Sequence, residues 1–172
     1  MSLPKVELVL GGARSGKTSF ALNRASSSGL SKVYVATGTA GDGEMAERIA
    51  HHQAERGLDW ATIEEPLDLT GALKSNSNPE RILLIDCLTL WISNVMFADH
   101  DVDHEIDGLT AALKRLDGPV ILVSNEVGLG IVPDNSMARR FRDLQGRANQ
   151  RVADVANRVS FIAAGLPLVL KG

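Results

Sequence analysis

Gly11-Gly12-Ala13-Arg14-Ser15-Gly16-Lys17-Thr18 governs how this chain is understood. The octet fits G-x-x-x-x-G-K-[ST], the pattern of a phosphate-binding P-loop. The apolar run Val6-Glu7-Leu8-Val9-Leu10 precedes it, and Ser19-Phe20-Ala21-Leu22-Asn23-Arg24-Ala25 continues it as a helix. Strand, loop and helix in that order are the context the motif requires. Glycines let the backbone turn inward and aim successive N–H groups at one point. The following helix brings its unpaired N–H groups, and the positive end of its dipole, to the same place. Lys17 adds a full positive charge at the terminal phosphates, and Thr18 offers a hydroxyl to Mg²⁺. A chance glycine-rich turn carrying a lysine would not bring both flanks with it. The chemistry indicated is that of a nucleoside triphosphate.

The bulk properties fit such an enzyme. The 172 residues suit one domain. Aromatic residues are only 4%, so the core must rest on aliphatic side chains. A net charge of −3 argues against a general nucleic-acid binder, which carries a basic surplus. Cys87 is the one cysteine, so no disulfide can form within the chain, and a reducing cytoplasm is expected. No basic, apolar leader pattern opens the sequence, and no run reaches the length of a membrane span.

Beyond the loop, strands and helices alternate. Residues 6–10, 32–37, 60–64, 81–86, 120–125, 158–164 and 166–170 read as strands. Residues 17–25, 44–56, 67–73, 88–97, 104–116 and 136–155 read as helices. The expected fold is α/β: a P-loop NTPase-like domain whose mostly parallel sheet is flanked by helices. Arg81-Ile82-Leu83-Leu84-Ile85-Asp86 ends an apolar strand in an acid. That is the pattern of a carboxylate emerging near the P-loop metal; the alternative is an acid that caps the next helix. Thr18 and Asp86 are therefore the expected Mg²⁺ ligands. The helix 136–155 carries the stripe Met137, Phe141, Leu144, Ala148, Val152, Val155. Its other faces carry Arg139, Arg140, Arg142, Arg147 and Arg151, either solvated or in contact with phosphate or substrate. Cys87 reads as a small buried hydrophobe, and His100 and His104 as surface residues without a special role.

Several segments together resemble one family. They are the P-loop octet, Ala36-Thr37, Glu44-Met45 through Arg48-Ile49-Ala50-His51-His52 to Arg56, Asn125-Glu126-Val127-Gly128-Leu129-Gly130-Ile131-Val132-Pro133, and Gly146-Arg147-Ala148-Asn149-Gln150-Arg151. The chain resembles the bifunctional adenosylcobinamide kinase / adenosylcobinamide-phosphate guanylyltransferase of cobalamin biosynthesis along nearly its whole length. The resemblance implies two reactions. ATP or GTP first phosphorylates the aminopropanol hydroxyl of adenosylcobinamide. GTP then donates GMP to that phosphate through a guanylylated histidine, giving adenosylcobinamide-GDP and pyrophosphate.

The resemblance places that histidine at His52, with His51 as the fallback. His52 shares a predicted helix face with Met45 and Ile49, whereas His51 falls off it. By itself, a histidine on a helix face is usually structural. A neutral imidazole is nonetheless a competent nucleophile near neutral pH. The resemblance also implies nucleotide contacts at Gly11, Gly12, Ala13, Arg14, Ser15, Gly16, Lys17 and Thr18, at Ala36, Thr37 and Gly38, at Gln53, Ala54, Glu55 and Arg56, and at Glu64 and Asp86. Asp86 departs mildly from relatives that can carry glutamate there. A homotrimer is implied as well. Two other readings stay open: another P-loop small-molecule kinase, and a GTP-binding regulatory protein. The N/T-K-x-D guanine-reading motif of switch GTPases is absent from the sequence.

Overall fold

The computed structural model describes residues 3–38 and 59–172. The helix expected over 44–56 lies outside them. Within them, strands β1 (Val6–Gly11), β2 (Ser31–Ala36), β3 (Trp60–Glu64), β4 (Arg81–Asp86), β5 (Val120–Asn125), β6 (Arg158–Ala163) and β7 (Leu166–Lys171) form one sheet. Their spatial order is β3-β2-β4-β5-β1-β6-β7. Every pairing is parallel except the antiparallel β6–β7 hairpin. The mostly parallel sheet expected from the sequence is therefore present, with P-loop strand β1 near its middle. β5 lies between β1 and the acid-ended strand β4.

Helices α1 (Lys17–Ser26), α2 (Leu69–Asn76), α3 (Leu88–Phe97), α4 (Val102–Leu113) and α5 (Ser136–Val155) cover the two faces. Side chains alternate across a strand, so each central strand feeds both cores. Leu8, Leu83, Ile85 and Leu122 join a large core with Leu69, Trp91, Ile106 and Leu144 from helices α2 to α5. Val9, Ile82, Leu84, Ile121 and Val123 face the other way, against Ala21, Leu22 and Ala25 of α1. The dearth of aromatics is met by aliphatic packing around one fully buried tryptophan, Trp91, whose indole N–H donates to the Leu67 carbonyl at 2.8 Å.

Three helix readings need correction. α2 starts at Leu69 rather than at 67, because the Asp68 side chain accepts the Gly71 N–H and caps it; it then runs on to Asn76. α4 starts at Val102 rather than at 104, because Asp101 accepts the N–H groups of Asp103 and His104, and it ends at Leu113. On α5 the expected stripe is only partly buried. Met137 is exposed, whereas Gln145 and Asn149 are buried.

One buried charge stands out on β1. Glu7 is fully buried beneath α1 and pairs with Arg24 at 3.0 Å, with Arg158 Nε 3.6 Å from its other oxygen. Both arginines are partly exposed, so the desolvated member is the carboxylate. Removing a partner from a buried ion costs more than removing both charges together. Arg24→Met should thus lower unfolding stability by roughly 3 kcal/mol, and the double variant Arg24→Met/Glu7→Leu should recover most of that loss. Urea unfolding of the three proteins reads both values, and wild-type stability in Arg24→Met would contradict the account.

Candidate active site

The site forms at the C-terminal edge of the sheet, where loops from parallel strands border a ligand crevice. Strand register sets its rows. Glu64, Ala36 and Asp86 stand side by side on β3, β2 and β4. Asp86 neighbours Val123 of β5, and Asn125, two residues further along, neighbours Gly11 of β1. The acid and the P-loop are thus held on either side of β5.

The P-loop wraps the start of α1. Its turn uses left-handed backbone at Arg14 (φ 54°) and Gly16 (φ 92°). The Ser15 N–H closes the turn on the Gly12 carbonyl at 3.3 Å. Lys17 is buried, and its Nζ donates to the same carbonyl at 3.0 Å. Gly11 admits no side chain, because a Cβ there would lie 2.7 Å from the Ile162 carbonyl oxygen. Support comes from the β6–β7 turn, where the Gly165 N–H donates to the Ser15 carbonyl at 2.8 Å. In sequence, Gly165 reads only as part of a tight connection. In the fold it also props the phosphate loop.

Thr18, in the first turn of α1, reaches the end of β4. Its Oγ1 donates to Asp86 Oδ2 at 3.1 Å, and the Tyr34 hydroxyl donates to the same oxygen at 2.8 Å. The carboxylate is therefore aimed at the P-loop helix rather than at α3. Cys87, not Asp86, occupies the N-cap of α3, so the capping alternative falls away. A hydroxyl and a carboxylate held this close are hard oxygen donors of the kind Mg²⁺ takes. Cys87 is buried, and burial, then the adjacent Asp86 charge, push its thiol up to about 11. A thiol kept protonated at neutral pH is no nucleophile.

Thr37 is fully buried. Its hydroxyl donates to the Cys87 carbonyl at 2.7 Å and accepts the Cys87 N–H at 2.8 Å. Those bonds make it a clasp between β2 and β4, with its hydroxyl turned into the protein. Ala36 and Gly38 flank it at the same edge, and Gly38 passes close to Leu90, which a Cβ would approach to 3.1 Å. Glu64 is exposed on edge strand β3. His52, His51, Gln53, Ala54, Glu55 and Arg56 lie outside the described residues.

The arginines of α5 divide. Arg147 and Arg151 pair with Asp103 and Asp107 of α4, which assigns them to helix packing. Arg142 pairs with its neighbour Asp143. Arg139 donates to the carbonyls of Pro133 and Asp134 at the end of the loop after β5. His100 stands 3.7 Å from the Glu105 carboxylate, and His104 is exposed. Sequence reasoning missed Tyr34 and Thr89. The one signal for Tyr34 is its standing as the sole tyrosine, inside an apolar strand. Thr89, at the start of α3, accepts the Asn125 N–H at 2.8 Å.

Comparison with known proteins agrees with this geometry. Among solved structures, the chain is similar to an ATPase domain, with a TM-score of 0.53 at 13% identity over 91% of this chain and 68% of that one. It is also similar to the flagellar accessory protein FlaH of Methanocaldococcus jannaschii, with a TM-score of 0.55 at 12% identity over 98% and 80%. At such identities the likeness concerns the fold alone. Sequence relatives are much nearer. The bifunctional adenosylcobalamin biosynthesis protein CobP of Pseudomonas aeruginosa is 49% identical over 168 residues, 96% of this chain and 97% of that protein. CobU of Escherichia coli, which carries the same description, is 38% identical over 95% and 98%. Residues 7–170 match the family described as cobinamide kinase / cobinamide phosphate guanyltransferase. With a P-loop lysine, a threonine and a strand-end acid assembled on one sheet edge, and with relatives aligned along almost the whole length, the chain belongs to the cobinamide kinase / cobinamide phosphate guanyltransferase family.

Proposed function

We propose that this protein phosphorylates adenosylcobinamide with ATP or GTP. It then transfers GMP from GTP to the resulting phosphate through a guanylyl-histidine at His52. The observation that carries the reading is the meeting of Thr18 Oγ1 with Asp86 Oδ2, 3.1 Å apart, beside the buried Lys17. This arrangement serves triphosphate chemistry in which charge stabilisation and positioning do most of the work.

Each residue has a definable task. The P-loop N–H groups and Lys17 hold the phosphate chain and stabilise charge developing on it. Thr18 and Asp86 would hold Mg²⁺, which supplies charge neutralisation between phosphate oxygens when bound. Tyr34 fixes the rotamer of Asp86 through its hydroxyl. In the kinase step, the acceptor hydroxyl oxygen bonds to the γ-phosphorus as the bond to the β,γ-bridging oxygen breaks; the nucleoside diphosphate leaves and the hydroxyl proton passes to water. In the guanylyl step, an imidazole nitrogen of His52 bonds to the α-phosphorus and pyrophosphate leaves. An oxygen of adenosylcobinamide phosphate then attacks that phosphorus and releases the imidazole. Two displacements replace one difficult one. The location in the cytoplasm and the homotrimer belong to the same reading. They rest on the family resemblance and, for location, on the single cysteine.

Three outcomes are expected. Lys17→Ala should lower both half-reactions by at least ~100-fold, since one loop serves both. Wild-type turnover in either would rule out a shared site. Asp86→Asn should raise the Mg²⁺ concentration needed for half-maximal rate, and chelation should stop the wild-type enzyme. Metal-independent activity in Asp86→Asn would refute the assigned ligands. His52→Ala should lose guanylyl transfer by several orders of magnitude while retaining kinase activity, because γ-phosphoryl transfer needs no histidine adduct. With GTP labelled at the α-phosphate, the label should map to His52 as an acid-labile, base-stable phosphoramidate. Label on His51 would move the nucleophile by one residue. No label, with wild-type product formation in His52→Ala, would leave a kinase without a covalent histidine step.

A further inference from the structure

Helix α5 buries two polar side chains alongside its apolar stripe. Gln145 is fully buried and Asn149 nearly so, one helical turn apart. Both point at the exit of β5. Gln145 Nε2 donates to Ser124 Oγ at 2.8 Å and to Asn149 Oδ1 at 3.0 Å. Ser124 Oγ donates to Asn149 Oδ1 at 2.7 Å. Asn149 Nδ2 donates to the Asn125 carbonyl at 3.1 Å. Thr89 of α3, which packs into the same core as α5, accepts the Asn125 N–H at 2.8 Å. Side chains from two helices thus hold the backbone N–H and C=O of Asn125, the residue that neighbours the first P-loop glycine.

That grip has a visible object. The next residue, Glu126, donates its N–H to the Gly11 carbonyl at 3.0 Å, and its carboxylate accepts the Gly128 N–H at 2.6 Å. The rest of the loop 126–133 leaves that contact with Leu129, Ile131 and Val132 largely exposed. Its far end is held by Arg139, again from α5, on the carbonyls of Pro133 and Asp134. One helix therefore clamps both ends of a loop beside the phosphate site.

Packing does not require this cluster. An apolar face would fill the same space without desolvating amides, and Gln145 Oε1 remains buried without a hydrogen-bond partner. Buried polar groups retained at such a cost fix a geometry. We propose that Gln145 and Asn149 are positioning residues for phosphoryl transfer. Through Ser124 and the Asn125 backbone, they hold the start of the loop 126–133 in place against the P-loop. The proposal rests on the kinase reading above and adds to it the device that aligns acceptor with nucleotide.

The test is Asn149→Leu, close in volume and without the amide. Three readouts are kinase turnover on adenosylcobinamide, the Kd of Mg·GDP by calorimetry, and amide hydrogen exchange over 126–130. Turnover should fall roughly 10- to 100-fold, as expected for a misplacement near 1 Å, with exchange over 126–130 accelerated. The Kd should stay within about threefold, since Lys17 and the P-loop are untouched. Ser124→Ala, which deletes one hydroxyl, should show the same split more weakly, and carries the test if Asn149→Leu does not fold. Turnover within twofold of wild type would overturn the proposal. So would losses in turnover and nucleotide affinity that track a lowered Tm, or failure of Ser124→Ala to fold, because each makes the cluster merely structural. If the wild-type enzyme itself fails to phosphorylate adenosylcobinamide while binding Mg·GDP, the kinase reading fails instead, which separates the two.

Discussion

The Thr18–Asp86 hydrogen bond closes a gap that strand order alone would leave open. Asp86 ends β4, the P-loop leaves β1, and β5 stands between them. Adjacent strands lie about 4.8 Å apart and residues about 3.3 Å apart along them, so the acid and the first P-loop glycine, two strands and two residues apart, start about 12 Å from each other. α1 closes that distance because it packs back over β4 and β5, burying Ala21, Leu22 and Ala25 against Ile82, Leu84 and Ile121. The apolar face of α1 is therefore what sets the reach of Thr18. The buried Glu7–Arg24 pair ties the last turn of the same helix to the start of β1. Placement of the hydroxyl follows from contacts made along the whole helix.

Similar fastenings hold the rest of the catalytic edge. Parallel strands need long crossovers, so the residues they present at one end come from distant parts of the chain. Their ends would fray independently unless cross-linked. Thr37 clasps β2 to β4 through its two bonds with Cys87, 50 residues away. Thr89 of α3 and Asn149 of α5 both grip the backbone at the end of β5. Gly165, in the last hairpin, props the P-loop from the far side. Small polar side chains do this work because each hydroxyl or amide can pair with two backbone groups at once. Their burial limits where the backbone at this edge can move.

The proposed pair of reactions breaks the γ-bond in one step and the α-bond in another, and would require the site to hold the phosphate chain while acceptor and nucleophile change. Fixed backbone N–H groups and Lys17 would suit the constant part, since groups of this kind bind phosphate oxygens whatever attacks. In that proposal the variable part falls to elements at the rim, among them the loop 126–133. That loop has little packing of its own, and its anchors lie at its two ends.

Fold class, the P-loop and the acid at the end of β4 are legible in the chain alone. Each of those signals is local: glycines at fixed offsets, apolar runs of strand length, a charged residue closing one run. Boundaries of α2 and α4 move by about two residues because Asp68 and Asp101 cap them, a choice among several polar residues that only backbone geometry makes. Which distant side chains meet is settled by the folded sheet and its helices. Tyr34 on Asp86, Thr37 on Cys87, Gly165 under Ser15, and Gln145 with Asn149 at the exit of β5 are pairings between segments far apart in the chain. No periodicity encodes them. Gln145 and Asn149 lie outside the apolar stripe read from the sequence, because that pattern follows apolar residues only and is silent on which polar side chains a folded helix buries. The meeting points exist only once β5 is inserted between β4 and β1, and that insertion comes from long-range strand pairing, which no local stretch of residues specifies.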